Sequence, residues 1–347
     1  MPEKILIIGP AWVGDMVMAQ SLFMTLKATR PGVELHVAAP KWSEPLLARM
    51  PEVDRSIGMD LAHGQLGVGA RFKLGRTLAQ EAYDQAILLP NSLKSALVPF
   101  FAGIPVRTGW RGESRYGLIN DMRRLDKAAL PLMVDRFNAL AFDKDRIGAA
   151  TDFPAPHPEP RLVRQDPAAA LAQFGLAVER PVLALCPGAE FGPSKRWPET
   201  HYAESATRLL EEGHQVWIFG SAKDRAVGEA VIATVPEHLR AQIFNLAGAT
   251  TLGQAIDLLG LADAVISNDS GLMHVAAALD RPLVAVYGST SPFFTPPLSS
   301  RASIVQLGIE CSPCFKRECP LGHHICMRDL GADRVLAALP NLSATAS

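Results

Sequence analysis

The chain has 347 residues, of which 48% are hydrophobic, and a formal net charge of −1 at pH 7. This length and apolar content suffice for two α/β domains with separate cores. The balanced charge argues against a strongly basic nucleic-acid-binding protein, so we expect no nucleic-acid partner. The sequence contains no signal-peptide pattern and no apolar run of about 18 residues, and we therefore expect a cytoplasmic protein.

The N-terminal half opens with a β-loop-α pattern. Residues 4–8 form an apolar run typical of a buried strand, and Met18, Leu22 and Leu26 recur behind it at helical spacing. Further strands are predicted at residues 34–39, 86–89 and 106–108, with helical stretches between them. This alternation indicates a parallel sheet.

A proline-rich stretch, residues 151–167, has no apolar period and is interpreted as an extended connector. The alternation then restarts, with strands predicted at 182–186, 215–219, 264–267 and 283–287 and helices at 199–212, 225–234, 252–259 and 273–279. The prediction is an α/β protein of two Rossmann-like domains, residues 1–160 and 161–347, facing each other across a cleft. Such domain pairs usually bind ligands between the carboxyl ends of their strands.

The loop after the first strand, GPAWVGD at residues 9–15, has the glycine spacing of a phosphate-binding loop, but Asp15 stands where that loop needs a lysine. A carboxylate there would repel a phosphate. The helix behind it would keep Asp15 ionised, so Asp15 could accept a proton in a cleft. The alternative is that Asp15 only caps this helix.

Three loops of the second half carry polar residues after strands. In CPGAEFGPSKRWP, residues 186–198, Lys195 and Arg196 precede a helix start and favour a bound anion, with ordinary solvated charges as the alternative. In SNDSGLMHVAAAL, residues 267–279, helix-capping residues and glycine expose backbone N–H groups that suit a diphosphate. FGSAKD, residues 219–224, could contact a nucleotide, but this signal is weaker and helix capping is the preferred explanation. Together with Asp15, these loops favour metal-independent group transfer from a nucleotide-activated donor.

Five segments carry a resemblance over residues 4–300: GPAWVGDMVMAQSL, LPNSLKSALVPFFAGIPVRTGWRGESRYGLIND, CPGAEFGPSKRWP, FGSAKD and NDSGLMHVAAALDRPLVAVYGSTSP. They resemble the ADP-heptose:lipopolysaccharide heptosyltransferases, a family of ADP-heptose-dependent glycosyltransferases. The resemblance implies a GT-B fold and inverting, metal-independent transfer of L-glycero-D-manno-heptose from ADP-heptose to the first heptose of the Kdo–lipid A inner core.

The resemblance also implies roles for individual residues. The family's general base falls on Asp15 and its donor-phosphate lysine on Lys195, which are the two predicted catalytic residues. The donor site would comprise Lys195 together with Gly188, Ala189, Ser221, Lys223, Asp269, Ser270, Gly271 and His274.

The implied acceptor, heptosyl-Kdo–lipid A, is embedded in the inner leaflet of the inner membrane. The resemblance therefore implies peripheral contact with the inner face of that membrane. Guanidinium and ammonium groups bind carboxylates and phosphates, so the basic stretches of the first domain are expected to meet this acceptor. The predicted acceptor-binding residues are Gly14, Lys94, Arg111 and Arg115.

Three other functions remain open from the sequence. A sibling enzyme could transfer heptose directly to Kdo or to a later core sugar. A GT-B sugar-nucleotide epimerase would convert its nucleotide sugar without an acceptor. A non-catalytic two-domain sugar-binding protein would share the cleft but not the turnover.

The segment CSPCFKRECPLGHHIC contains four cysteines that the transfer reaction does not require. Four thiols at such short spacing could hold a structural zinc ion, or an iron–sulfur cluster, although their intervals match no standard zinc-finger pattern. The alternative is a reduced thiol-rich loop. The predicted ligands are Cys311, Cys314, Cys319 and Cys326.

Overall fold

A computed structural model describes residues 2–60, 66–143 and 157–339. The chain divides into two compact units, Met1–Pro160 and Arg161–Ser347. The division lies inside the proline-rich stretch predicted as a connector, of which residues 151–156 lie outside the described part of the chain.

Among the described residues of the first unit, six parallel strands form one sheet. The strands are β1 (Lys4–Ile8), β2 (Glu34–Pro40), β3 (Arg55–Met59), β4 (Gln85–Leu88), β5 (Val106–Trp110) and β6 (Asp121–Arg123). The helices are α1 (Val13–Thr29), α2 (Glu44–Leu47), α3 (Val68–Leu78), α4 (Leu97–Phe101) and α5 (Met133–Asn138).

The described part of the second unit repeats this plan. Its parallel strands are β7 (Val182–Cys186), β8 (Gln215–Ile218), β9 (Ile243–Asn245), β10 (Ala264–Asn268), β11 (Leu283–Val286) and β12 (Ala302–Val305). Its helices are α6 (Ala168–Phe174), α7 (Glu199–Glu211), α8 (Arg225–Thr234), α9 (Leu252–Leu259), α10 (Gly271–Ala278), α11 (Ile325–Arg328) and α12 (Ala332–Leu336).

Both sheets have the strand order of the Rossmann fold. The first runs β3-β2-β1-β4-β5-β6 and the second β12-β11-β10-β7-β8-β9. Their central strands are apolar and buried because helices cover both faces of a parallel sheet. The predicted α/β class with two Rossmann-like units is confirmed.

Four strands were not predicted from the sequence, and all four are sheet edges: β3 and β6 in the first sheet, β9 and β12 in the second. An edge strand is covered on fewer sides, so it can alternate polar with apolar residues. β3, for example, reads RSIGM and keeps no fully buried residue. Such short mixed segments lack the apolar run by which the buried strands were recognised.

None of the helices in the described ranges combines the length and apolarity needed to cross a bilayer.

Candidate active site

The chain order of the first sheet reverses between β1 and β4, which makes this the topological switch point of the unit. A cavity of about 690 Å³ opens there. The loop after β1 contributes Gly9 and the following helix contributes Asp15, while the loop after β4 contributes Asn91 and Lys94. Ligands of open α/β sheets bind outside the carboxyl ends of strands at such switch points, so this cavity is the candidate acceptor site.

Asp15 lies in the first turn of α1, which begins at Val13 with Trp12 as its N-cap residue. Asp15 is therefore not the N-cap residue of this helix. Its side chain lines the cavity and is partly exposed. The positive end of the helix dipole favours the ionised carboxylate. Gly14 is buried in the same turn and does not belong to the lining of the cavity.

Cationic side chains line the same cavity as Asp15. They are Arg71 of α3, Lys94 of the segment before α4, and Lys127 and Arg136. Arg71 is buried and donates its Nε–H to the carbonyl of Leu66 at 2.8 Å, and burial lowers its pKa. Lys127 is exposed. The cationic side chains can bind an anionic acceptor, and the carboxylate among them can remove a proton from it.

The structure separates the two arginines that were predicted to bind the acceptor. Arg111 is exposed on the loop after β5 and is not among the residues that line the cavity. Arg115 is wholly buried. Its guanidinium donates to the carbonyls of Pro90, at 2.8 Å, and Trp110, and to the side chain of Asn91 at 3.2 Å. These bonds give Arg115 a structural role in holding the loop after β4, and its contact with the acceptor stays a prediction.

In the second unit the switch point lies between β7 and β10. Asn268, the last residue of β10, joins the surrounding loops by hydrogen bonds. Its side-chain oxygen accepts the backbone N–H of Trp197 at 3.1 Å and the hydroxyl of Tyr202 at 3.0 Å. Its amide donates to the carbonyl of Pro187 at 2.7 Å. The loop after β7 and the start of α7 are thereby held against the end of β10.

Lys195 and Asp269 meet at this switch point. The ammonium of Lys195 lies 2.7 Å from the carboxylate of Asp269, and the Thr290 hydroxyl donates to the same oxygen at 2.6 Å. Lys195 also lies 5.2 Å from the ring centroid of Phe191, a cation–π distance. Three loops, after β7, β10 and β11, therefore converge on one charged pair.

The helix α10 starts beside this pair. Ser270 is its N-cap residue and accepts the backbone N–H of Met273 at 3.4 Å, and Gly271 is the first helical residue. His274 is buried, which lowers the pKa of its imidazole to about 4. This histidine is therefore neutral near pH 7, and the positive charge of the site comes from Lys195 and the helix N-terminus.

The loop after β8 is organised around Asp224. Its carboxylate accepts the backbone N–H of Ser221 at 2.9 Å and the Ser221 hydroxyl at 2.7 Å, forming a capping box. A Cβ on Gly188 would lie 2.6 Å from this carboxylate, so a larger residue there would require the loop or the Asp224 side chain to shift. Lys223 is exposed and pairs with Glu190. Ser221 thus caps its helix, as the alternative interpretation held, and any contact with a nucleotide would be additional.

Cys186 is the last residue of β7, directly before this loop. This thiol is buried, which raises its pKa to about 12, so it is a neutral packing group rather than a nucleophile. Ala189 is also buried.

The four remaining thiols line a single small cavity, together with two imidazoles: Cys311, Cys314, Cys319, Cys326, His323 and His324. Burial and the charges of the other three cysteines raise the pKa of Cys326. Within the described residues, no group of three or more His, Cys, Asp or Glu side chains is arranged to hold a metal ion. Binding of a structural zinc ion by these four cysteines stays a prediction.

Thr290, Lys127 and the loop-holding role of Asn268 were not predicted from the sequence. Thr290 lies in the polar segment GST directly after the apolar run of β11, which was the available signal. Lys127 comes from a segment with no strand or helix period, and nothing in its neighbourhood marks it.

Comparison with known proteins shows that the chain is similar to glycosyltransferases. Residues 71–325 match the model of glycosyltransferase family 9 (heptosyltransferase). Lipopolysaccharide heptosyltransferase 2 of Escherichia coli strain K12 is 53% identical over 338 residues, which are 97% of each chain. Lipooligosaccharide heptosyltransferase 2 of Haemophilus influenzae is 50% identical over 346 residues, 98% of this chain and 99% of that one. The solved structure of E. coli ADP-heptose lps heptosyltransferase II has a TM-score of 0.89 at 52% identity and covers 98% of each chain.

Proposed function

The chain belongs to glycosyltransferase family 9, the heptosyltransferases, and from this premise we propose how its two units carry out the reaction. The reaction is the inverting transfer of L-glycero-D-manno-heptose from ADP-heptose to the first heptose of the Kdo–lipid A inner core. The first unit binds the acceptor in its switch-point cavity, and the second binds the donor at the ends of β7 and β10.

Asp15 is the general base in this proposal. Its carboxylate takes the proton of the acceptor hydroxyl as that oxygen forms a bond to the anomeric carbon of the donor heptose. The first turn of α1 favours the ionised form that this step requires. Lys94 and Lys127, which line the same cavity, bind the anionic groups of the acceptor.

The bond from the anomeric carbon to the diphosphate breaks as the new bond forms, and ADP leaves with the negative charge. Lys195 and the backbone N–H groups at the start of α10 stabilise that charge. Ser270 and Gly271 shape this helix start. Gly188 and Ala189 shape the loop that faces the same phosphates. His274, being neutral, acts as a hydrogen-bonding group.

One observation supports the proposal above all. A carboxylate follows the first strand of one Rossmann-like unit, and an ammonium follows the first strand of the other. Asp15 follows β1 and Lys195 follows β7, the first strand of each sheet. Transfer directly to Kdo is the alternative, and it is not favoured because the relatives at 50–53% identity carry the name heptosyltransferase 2.

The test is transfer from ADP-heptose, in EDTA, to a heptosyl-Kdo–lipid A acceptor and to a Kdo-only acceptor. We expect transfer to the heptosylated acceptor alone, and a fall in kcat of about 10²-fold or more for Asp15→Asn. Asp143→Asn, an exposed carboxylate of the same unit that does not line the cavity, is the matched control and should leave kcat unchanged. Transfer to the Kdo-only acceptor would overturn the acceptor assignment, and an active Asp15→Asn would overturn the role of Asp15.

Because the acceptor is a membrane lipid, we also propose that the enzyme works in peripheral contact with the inner face of the inner membrane. Arg111, one of the predicted acceptor-binding residues, is exposed outside the cavity and is available for such contact. Its charge reversal should raise the KM for the acceptor and leave the KM for ADP-heptose unchanged. An unaltered acceptor KM would contradict this part of the proposal.

We further propose that Cys311, Cys314, Cys319 and Cys326 hold a structural zinc ion that takes no part in the transfer. Their sharing of one cavity with two imidazoles supports this, because thiolate and imidazole are the ligands zinc prefers. Metal analysis of tag-free protein should find about one equivalent of zinc. Well under one equivalent would contradict the zinc site without affecting the proposed transfer.

A further inference from the structure

The outer side of α3 and α4 presents apolar side chains to solvent. Phe72 of α3 is 50% exposed and Phe100 of α4 is 43% exposed. Leu66 before α3, Val68 at its start and Val106 at the start of β5 are also exposed. We call these five residues the α3–α4 face. Exposed aromatic and aliphatic residues grouped in this way mark an interaction surface more often than isolated ones do.

Packing between the two helices holds this face in place. A Cβ on Gly75 would lie 2.6 Å from the Cβ of Phe101, so glycine lets α3 approach α4 closely. The Phe101 ring then contacts Phe72 edge-on, with ring centroids 5.2 Å apart, and Phe100 at 5.7 Å. On the opposite side, Leu78 packs into the core of the unit. The exposed rings are therefore fixed on two packed helices.

The surroundings of the face are cationic. Residues 66–80 and 85–112 contain no aspartate or glutamate. Lys73 and Arg76 are exposed on α3, and the guanidinium of Arg107 lies 5.8 Å from the ring centroid of Phe100. Glu81, the first acidic residue after α3, is paired with Arg55 at 2.8 Å. No ion pair within the described part of the chain involves Lys73, Arg76 or Arg107, so the face combines apolar rings with positive charge.

The same helical segments also line the candidate acceptor cavity. Arg71 of α3 points inward and lines the cavity, whereas the next residue, Phe72, is exposed. Lys94, just before α4, lines the cavity as well. A molecule held by the α3–α4 face would therefore be adjacent to the place where the acceptor sugar binds.

We propose that the α3–α4 face docks the first unit on an anionic phospholipid surface, with Phe72 and Phe100 among the headgroups and the cations on the lipid phosphates. Aromatic rings flanked by lysine and arginine are typical of interfacial membrane binding. A second copy of the chain is disfavoured as the occupant, because a symmetric dimer would bring the same cationic surfaces together. The inference rests on the proposed function, whose acceptor carries the lipid.

The test measures binding of the full chain to sedimented vesicles of phosphatidylcholine alone and of roughly 70% phosphatidylcholine with 30% phosphatidylglycerol. We expect binding to the anionic vesicles, weakened by salt. Phe72→Ser with Phe100→Ser, and separately Lys73→Glu with Arg76→Glu, should each weaken binding about tenfold or more. Phe293→Ser, at a ring that is 77% exposed in the second unit, is the matched control and should bind as wild type.

Absence of wild-type binding, or equal binding by all variants, would overturn the docking surface. A change of oligomeric state in the Phe variant, with vesicle binding intact, would assign the face to a second copy and also overturn it. Thermal melting checks that each variant is folded.

Transfer to a deacylated, water-soluble acceptor separates the two proposals: the Phe variant should keep wild-type turnover there and lose it on vesicle-embedded acceptor. A wild type inactive on both acceptors would contradict the transfer but not the vesicle binding.

Discussion

Lys195 and Asp269 are 74 positions apart in the sequence, yet their side chains form an ion pair with an N–O distance of 2.7 Å. Asp269 is almost fully buried and also accepts the Thr290 hydroxyl. A lone carboxylate would repel a diphosphate at this switch point. We therefore interpret Asp269 as a positioning residue that orients Lys195. Its carboxylate and its backbone carbonyl engage two N–H donors of the ammonium, and the third stays available for the donor phosphates.

The ion pair predicts coupled effects of substitution. Lys195→Ala should lower kcat about 10²-fold or more, because it removes a charge that stabilises the leaving diphosphate. Asp269→Asn should raise the KM for ADP-heptose about tenfold, because Lys195 loses its orientation. The double variant should resemble Lys195→Ala alone, since Asp269 acts through Lys195. Steady-state kinetics of all three variants checks this. Effects that multiply in the double variant would show that the two residues act independently.

His274 predicts a pH dependence of stability. Burial lowers the pKa of its imidazole from 6.5 to about 4, so below pH 6.5 the unfolded chain binds a proton that the folded chain does not. Stability contributed by this residue is therefore lost as the pH falls from about 6.5 toward 4, by about 2 kcal/mol at pH 5. Urea unfolding at about pH 7.5 and about pH 5 measures it.

His274→Gln should show a smaller difference in unfolding free energy between the two pH values than the wild type. His238→Gln, at an exposed position, is the control and should behave as the wild type does. An equal pH dependence in His274→Gln and wild type would contradict the assignment of the loss to His274.

Substitutions of the buried Arg115 and the exposed Arg111 should affect the stability of the first unit differently. Arg115→Met should destabilise the first unit by about 3 kcal/mol or more, because buried carbonyls such as those of Pro90 and Trp110 lose their donor. Arg111→Met, at an exposed position, should change stability by less than about 0.5 kcal/mol. Thermal and urea unfolding compare the two. A stable Arg115→Met would show that its hydrogen bonds do not hold the loop after β4.

Gly188 predicts a steric effect on the donor loop. In Gly188→Ala the new Cβ would lie 2.6 Å from the Asp224 carboxylate, so either the loop or the capping box must move. We expect a loss of about 1–3 kcal/mol and a raised KM for ADP-heptose. Gly331→Ala, where the space for a Cβ is open, is the control and should change neither quantity. An unaltered KM in Gly188→Ala would mean that this loop does not approach the donor.

The sequence was sufficient for the central strands and for the loops that follow them. A strand in the middle of a parallel sheet is buried on both faces, so β1, β7, β10 and β11 appear as apolar runs. Ligand-binding loops of this fold follow such strands, which is why Asp15, Lys195 and Asp269 could be selected one by one. The edge strands β3, β6, β9 and β12 could not be recognised, because partial exposure permits polar residues in them.

What the sequence alone determined is therefore the residue types at strand ends and the family they resemble. Only the tertiary structure decided which residues meet and which are accessible. The pairing of Lys195 with Asp269, the burial of Arg115 and the exposure of Arg111 depend on how distant segments pack. The physical reason is that hydrophobic periodicity reports the burial of apolar positions within one element. The environment of a charged side chain depends instead on the neighbours that folding brings to it.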